Sequence, residues 1–129
     1  MSEINPSILS PLVLAYIGDG VYELFVRNKV IEQFPTTPPS KLHKLSSAHV
    51  KAHAQSNSMK AIEPILSEKE LAIYKRGRNS KSATVPKNAD VTDYRRATGF
   101  EALIGYLYLN KENERLVEIM ELAFSNCLD

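Results

Sequence analysis

Cys127 is the only cysteine in this chain of 129 residues. No intrachain disulfide is possible, which fits a reducing, cytoplasmic setting. The N-terminus, MSEINPSIL, lacks a basic stretch leading into an apolar core and a small-residue cleavage site, so it does not read as a secretory signal. Residues 4–18 carry no charge, but Asn5, Pro6, Ser7, Ser10 and Pro11 interrupt them. A membrane-spanning helix needs roughly 20 mostly apolar residues, so no membrane segment is expected. Bulk charge is almost absent, at a formal net of +1, and any nucleic-acid partner has to be argued from local clustering. Strand alternation and internal repeats are lacking too.

What is present is helical periodicity. With 43% hydrophobic and 24% charged residues, the chain has the content of one soluble domain that buries a core without disulfides or a structural metal. Ser10-Pro11 reads as an N-cap followed by proline at the first helical position. A long helix then runs to about Gln33, with Leu14, Ile17, Val21, Leu24 and Phe25 at helical spacing. Leu12, Val13, Tyr16, Tyr22 and Val26 make it apolar on most sides, which in so small a chain points to cover from a second subunit. Phe34 to Pro39 is a stop and a turn, and helix resumes near Ser40 and runs to about Pro64. Ser67 and Glu70 form an S-x-x-E capping box that opens a short helix to about Arg76. Gly77 to Asp90 reads as a polar loop of the length that in compact domains is functional or disordered. Asp90 or Thr92 caps the next helix, Asn110 stops it, and Glu112 to about Cys127 forms the last. The fold class is all-α.

Gly18-Asp19-Gly20 interrupts the apolar pattern of the first helix. It is not a dinucleotide fingerprint, because Glu23 occupies the third glycine position and the preceding segment is helical. A turn between two short helices is the plainer alternative, but the apolar register runs through unbroken. A glycine inside a helix costs about 1 kcal/mol relative to alanine. Gly18, Gly20, Gly99 and Gly105 all fall in predicted helices, so a compensating gain is expected, and close approach of another backbone or a ligand is the usual one.

Two carboxylates stand in apolar surroundings: Asp19 in the first helix and Glu101 in FEALIGYLYL, Phe100 to Leu109. An ionised carboxylate there is costly unless paired or bound to a cation. Two readings stay open: each is satisfied by an arginine from another helix, or both converge on a divalent metal. Mg²⁺ takes hard oxygen ligands and often uses only one or two protein carboxylates plus substrate phosphates. Glu23, four residues before Arg27, reads as half of an ion pair. His49 and His53 share an i, i+4 spacing, but H-V-K-A-H lacks the glutamate of a zinc protease. Cys127 has no histidine near it in sequence.

Charge is segregated. Lys75 to Arg96 holds seven cationic side chains against Asp90 and Asp93. A solvated loop would account for this, and so would a phosphate-binding surface, since backbone charge dominates nucleic-acid affinity. Tyr94 is the only aromatic nearby, which favours shape-based reading of duplex RNA over single-strand stacking. Arg95, Thr98 and Glu101 lie three apart, so the basic surface runs into the carboxylate pair along one helix stripe.

These residues carry a resemblance. LAYIGDGVYELFVR, Leu14 to Arg27, resembles the signature helix of ribonuclease III. FEALIGYLYL resembles that family's second acidic helix, and Lys75 to Val91 is similar to the basic segment of its Mini-III branch. The resemblance implies a Mg²⁺-dependent endonuclease that cuts double-stranded RNA. Asp19 and Glu101 would be the catalytic, metal-binding pair, and Arg76, Arg78, Lys81, Lys87 and Arg95 would hold the RNA backbone. It further implies a homodimer with the signature helices at its interface, and a large-subunit (23S-type) ribosomal RNA precursor as substrate. One catalytic domain would span residues 1–129, without the double-stranded-RNA-binding domain of larger relatives. Further acids of full-length members are replaced here by Leu12, Ala15 and Thr98, as in the Mini-III branch. That leaves open a non-catalytic helical dimer that grips structured RNA.

Overall fold

A computed structural model describes residues 4–80, 85, 87 and 90–128 of the chain. Among the described residues six α-helices follow one another: α1 Pro11–Gln33, α2 Pro39–Val50, α3 Ala52–Ile62, α4 Glu68–Arg78, α5 Val91–Leu109 and α6 Asn113–Asn126. Among the described residues there is no strand, and no helix is long and apolar enough to cross a membrane.

The helix starts follow from local chemistry. Ser10 accepts from the Val13 backbone N–H, with Pro11 behind it at the first helical position. Ser67 and Glu70 close their capping box reciprocally at 2.9 and 3.2 Å. Asp90 caps α5 through the Asp93 N–H at 3.0 Å. Helix α4 continues to Arg78, so the polar loop starts later than its composition indicates. The helical region expected from Ser40 to about Pro64 is divided between α2 and α3. At Lys51 the backbone turns extended, with ψ at 157°, and α3 leaves in a new direction.

Helix α5 is the centre. Phe100, Ala102, Leu103, Ile104 and Leu107 are fully buried, with α1, α3, α4 and α6 packed around them. Tyr22 of α1 meets Phe100 edge to face at 4.9 Å. The α1–α5 crossing is unusually close. A Cβ on Gly18 would lie 1.8 Å from the Glu101 carbonyl oxygen, and one on Gly105 would lie 1.9 Å from that of Leu14. These two glycines repay their helix cost by backbone contact. Gly20 does not: a Cβ there meets nothing within 4 Å, so the expectation that close packing needs a small residue at that position is not met within the chain.

Helix α1 buries one stripe, Leu14, Ala15, Gly18, Tyr22, Val26 and Val30. Val21 and Phe25 are partly buried against the core, while Leu12, Val13, Tyr16, Leu24 and Ile31 face outward, Tyr16 at 83% exposure and Leu24 at 63%.

Candidate active site

The α1–α5 crossing brings Asp19 and Glu101 together. Glycine backbone contact at Gly18 places the next residue, Asp19, beside the α5 turn that bears Glu101. Asp19 is exposed, and Glu101 is half-buried with its carboxyl group enclosed. Burial pushes the Glu101 carboxyl up to about 9, and the neighbouring Asp19 side chain pushes it the same way. Glu101 therefore carries the proton of the pair at neutral pH when no cation is bound. Among the described residues no lysine or arginine pairs with either group, so the arginine-satisfied arrangement is not the one found.

One influence on Glu101 had no local signal in the sequence. Gln55, on α3 and only 1% exposed, pulls the Glu101 carboxyl downward, against the upward shift. No periodicity or motif marks a glutamine as the partner of a glutamate on another helix.

The basic residues flank this pair on neighbouring helices. Arg76 on α4 and Arg95 on α5 are exposed. Arg95 lies on α5 about 9 Å along the axis from Glu101, from a rise of roughly 1.5 Å per residue. Arg78 is half-buried: its guanidinium lies 5.7 Å from the Tyr74 ring centre and its Nε donates to Asn79 at 3.3 Å. Lys87 is exposed, and Lys81 falls outside the described residues. Glu23 and Arg27 form the expected ion pair at 3.2 Å.

The histidines do not act as a pair. His53 bonds Asp93 at 2.9 Å, while Nδ1 of His49 sits 2.9 Å from the Cys127 sulfur. The break at Lys51 separates them, and the partner of Cys127 comes from α2, far away in sequence.

The ribonuclease III domain family matches residues 12–112. Mini-ribonuclease 3 of Clostridium tetani is 54% identical over 117 residues, covering 91% of this chain and 78% of the relative. That of Brevibacillus brevis is 48% identical over 121 residues, covering 94% and 90%. The chain belongs to the Mini-III branch of the ribonuclease III family. A crystal structure of a Fusobacterium nucleatum protein shares the fold, with a TM-score of 0.82 and 36% identity over 92% of this chain and 93% of that one. As a Mini-III protein the chain is a metal-dependent endoribonuclease.

The Mini-III site fits a divalent metal by its donors. Asp19 and Glu101 offer hard oxygen donors with no cationic side chain paired to them among the described residues, and the Asp19 side is open to solvent. Among the described residues no cluster of three or more histidine, cysteine or acidic side chains gathers anywhere. A pair of carboxylates is still enough for Mg²⁺, which keeps most of its shell as water or substrate oxygen.

Proposed function

We propose that this chain hydrolyses double-stranded RNA with Mg²⁺ held by Asp19 and Glu101. The observation that carries this is the close α1–α5 crossing, which sets Asp19 beside Glu101, with the exposed cations Arg76 on α4 and Arg95 on α5. When bound, the ion supplies Lewis-acid polarisation of the scissile phosphate and lowers the pKa of its water. Glu101 would be held as a carboxylate against a bound ion, whose double positive charge would offset the burial and the neighbouring Asp19 charge that raise it. Asp19, exposed on the rim, faces the incoming strand. Arg76, Arg78, Lys81, Lys87 and Arg95 hold the phosphate backbone on either side of the scissile bond.

The working unit is a homodimer. The outward stripe of α1, with Leu12, Val13, Tyr16, Leu24 and Ile31 exposed, is more apolar surface than a monomer should leave open. Two sites would then cut the two strands of one duplex. The likeness to Mini-III proteins supports a large-subunit (23S-type) ribosomal RNA precursor as the substrate, met in the cytoplasm.

The decisive assay compares wild type with Asp19→Asn on a duplex RNA in Mg²⁺. Cleavage should fall at least about 100-fold, the order expected when a group acting on the transition state is lost, while binding of the duplex in EDTA persists. Undiminished cutting by the variant would sink the assignment, and binding without Mg²⁺-dependent products from wild type would leave only an RNA-gripping dimer.

A further inference from the structure

Helices α4 and α5 begin differently. In α4 the capping box closes both ways: the Glu70 N–H donates to the Ser67 hydroxyl, and the Glu70 carboxylate accepts from the Ser67 N–H. In α5 the Asp93 N–H donates to the Asp90 carboxylate at 3.0 Å. The Asp93 carboxylate turns to another helix instead, and lies 2.9 Å from Nδ1 of His53 on α3. His53 is itself held from behind. Its Nε2 lies 3.4 Å from the Asn57 amide nitrogen, which also donates to the Cys127 carbonyl at 3.4 Å. An amide nitrogen only donates, so Nε2 accepts and Nδ1 carries the proton given to Asp93. A chain of side-chain contacts thus runs from the end of α6 through α3 to the first turn of α5.

The tie falls where packing does not reach. Val91 and Thr92 are exposed, Asp93 and Tyr94 are half-buried, and Ala97 is the first buried residue of α5. The turn that bears Arg95 therefore stands off the core, and poorly packed helix ends open readily. The His53 and Asp93 side chains are 54% and 24% exposed. A pair so open to water adds little to global stability, so its consequence is local.

We propose that His53 is a positioning residue for RNA: through Asp93 it holds the first turn of α5 so that Arg95 is presented to the phosphate backbone. This rests on the reading of Arg95 as a residue that holds that backbone. Residues two apart on a helix are turned from each other by about 200°, so an Asp93 drawn in towards α3 sends Arg95 outward. Arg95 is exposed and makes no ion pair among the described residues. Its charge is free for a ligand, and a turn already fixed loses less freedom when the ligand binds.

The test uses the full chain, with duplex binding in EDTA followed by fluorescence anisotropy and cleavage followed in Mg²⁺. His53→Leu removes the donor, and His53→Gln keeps a side-chain N–H for Asp93. His53→Leu should bind the duplex about 3–10-fold more weakly, the range for residues coupled in one network. KM should rise by a similar factor, with kcat and Tm close to wild type, whereas a loosened fold would lower both. His53→Gln should recover most of the loss. The decisive step adds His53→Leu to Arg95→Ala. If His53 acts through Arg95, the double variant should bind no more weakly than Arg95→Ala alone. Losses that multiply would give His53 an RNA contact of its own and overturn the proposal. Circular dichroism establishes folding, and His53→Ala takes the same place in the cycle if His53→Leu is not folded. A folded His53→Leu with wild-type affinity beside a weakened Arg95→Ala removes the proposal alone. Unchanged binding by Arg95→Ala removes the reading beneath it.

Discussion

Gly18 lies so close to Glu101 that a Cβ on the glycine would sit 1.8 Å from the glutamate's carbonyl oxygen. The atom in the way is backbone, which cannot swing aside as a side chain can. The spacing of Asp19 and Glu101 is therefore set by the contact of two helix backbones, one residue before the aspartate.

Gly18→Ala should consequently cost about 3 kcal/mol or more by overpacking and abolish cleavage by parting α1 from α5. Gly20→Ala should do the reverse. With nothing within 4 Å of its Cβ, it should stabilise the fold by up to about 1 kcal/mol through helix propensity. Urea unfolding at matched chain concentration, alongside duplex cleavage, checks both variants.

The raised Glu101 carboxyl makes stability depend on pH. Its ordinary value is 4.5 and its value in the fold is about 9. Between those limits the folded chain keeps a proton that the unfolded chain has lost, so this group's contribution declines as pH rises from 4.5 towards 9. In EDTA, the Tm of wild type should fall more steeply over that window than the Tm of Glu101→Gln. The Tm gain from Mg²⁺ should grow with pH, since binding the ion expels the proton. Parallel profiles for the two proteins would refute the shared proton.

Arg115 ties α6 to α4 through both oxygens of Glu70, at 2.9 and 2.8 Å, and to the Ile65 carbonyl at 2.9 Å. Its bonds hold the Glu70 carboxyl below its ordinary range. Arg115→Ala leaves that nearly buried carboxylate without its partner and should cost about 2–3 kcal/mol at neutral pH. A lowered carboxyl stabilises above its unfolded pKa and ceases to do so as pH falls through its folded one. The gap between variant and wild type should therefore narrow on acidification. Mn²⁺ affinity of the folded variant should be unchanged, because this tie lies outside the carboxylate pair.

Arg76 and Arg95 should act on RNA through charge. Replacing either with alanine should weaken duplex binding at low salt and reduce the slope of log affinity against log salt by about 1. Fluorescence anisotropy over a salt series measures this, and an unaltered slope would remove that arginine from the interface.

The outward α1 stripe predicts the oligomeric state. Tyr16→Glu and Leu24→Glu each place a charge in the apolar surface of the proposed dimer and should shift sedimentation velocity from dimer towards monomer. A wild type that sediments as a monomer at micromolar concentration would contradict the dimer directly.

Much of the fold was legible because helix ends are encoded locally. Ser10-Pro11, the Ser67–Glu70 box, Asp90 and Asn110 each sit where the backbone needs them. The break at Lys51 was not legible, since neither glycine nor proline marks it and its side chain makes no cap. Beyond it, α3 packs against α5 and α6, contacts that lie far off in sequence. Asp19 and Glu101 stood out as charges in apolar segments. Gln55 did not, because a polar residue in a helix acquires meaning only from what tertiary packing sets opposite it. Periodicity likewise counted the apolar faces of α1 but could not say which the same chain covers, and the outward one carries Tyr16 and Leu24.

The corner where α2 meets the end of α6 has a practical use. Cys127 is 1% exposed, its sulfur lies against His49, and that ring stacks on Phe124 at 4.2 Å. Burial raises the thiol's pKa, so little of it is the reactive thiolate. A thiol reagent must wait until the last turn of α6 lifts away. The chain thus carries one native chemical stopwatch, and the rate at which Cys127 is alkylated would time the opening of that corner without any engineered label.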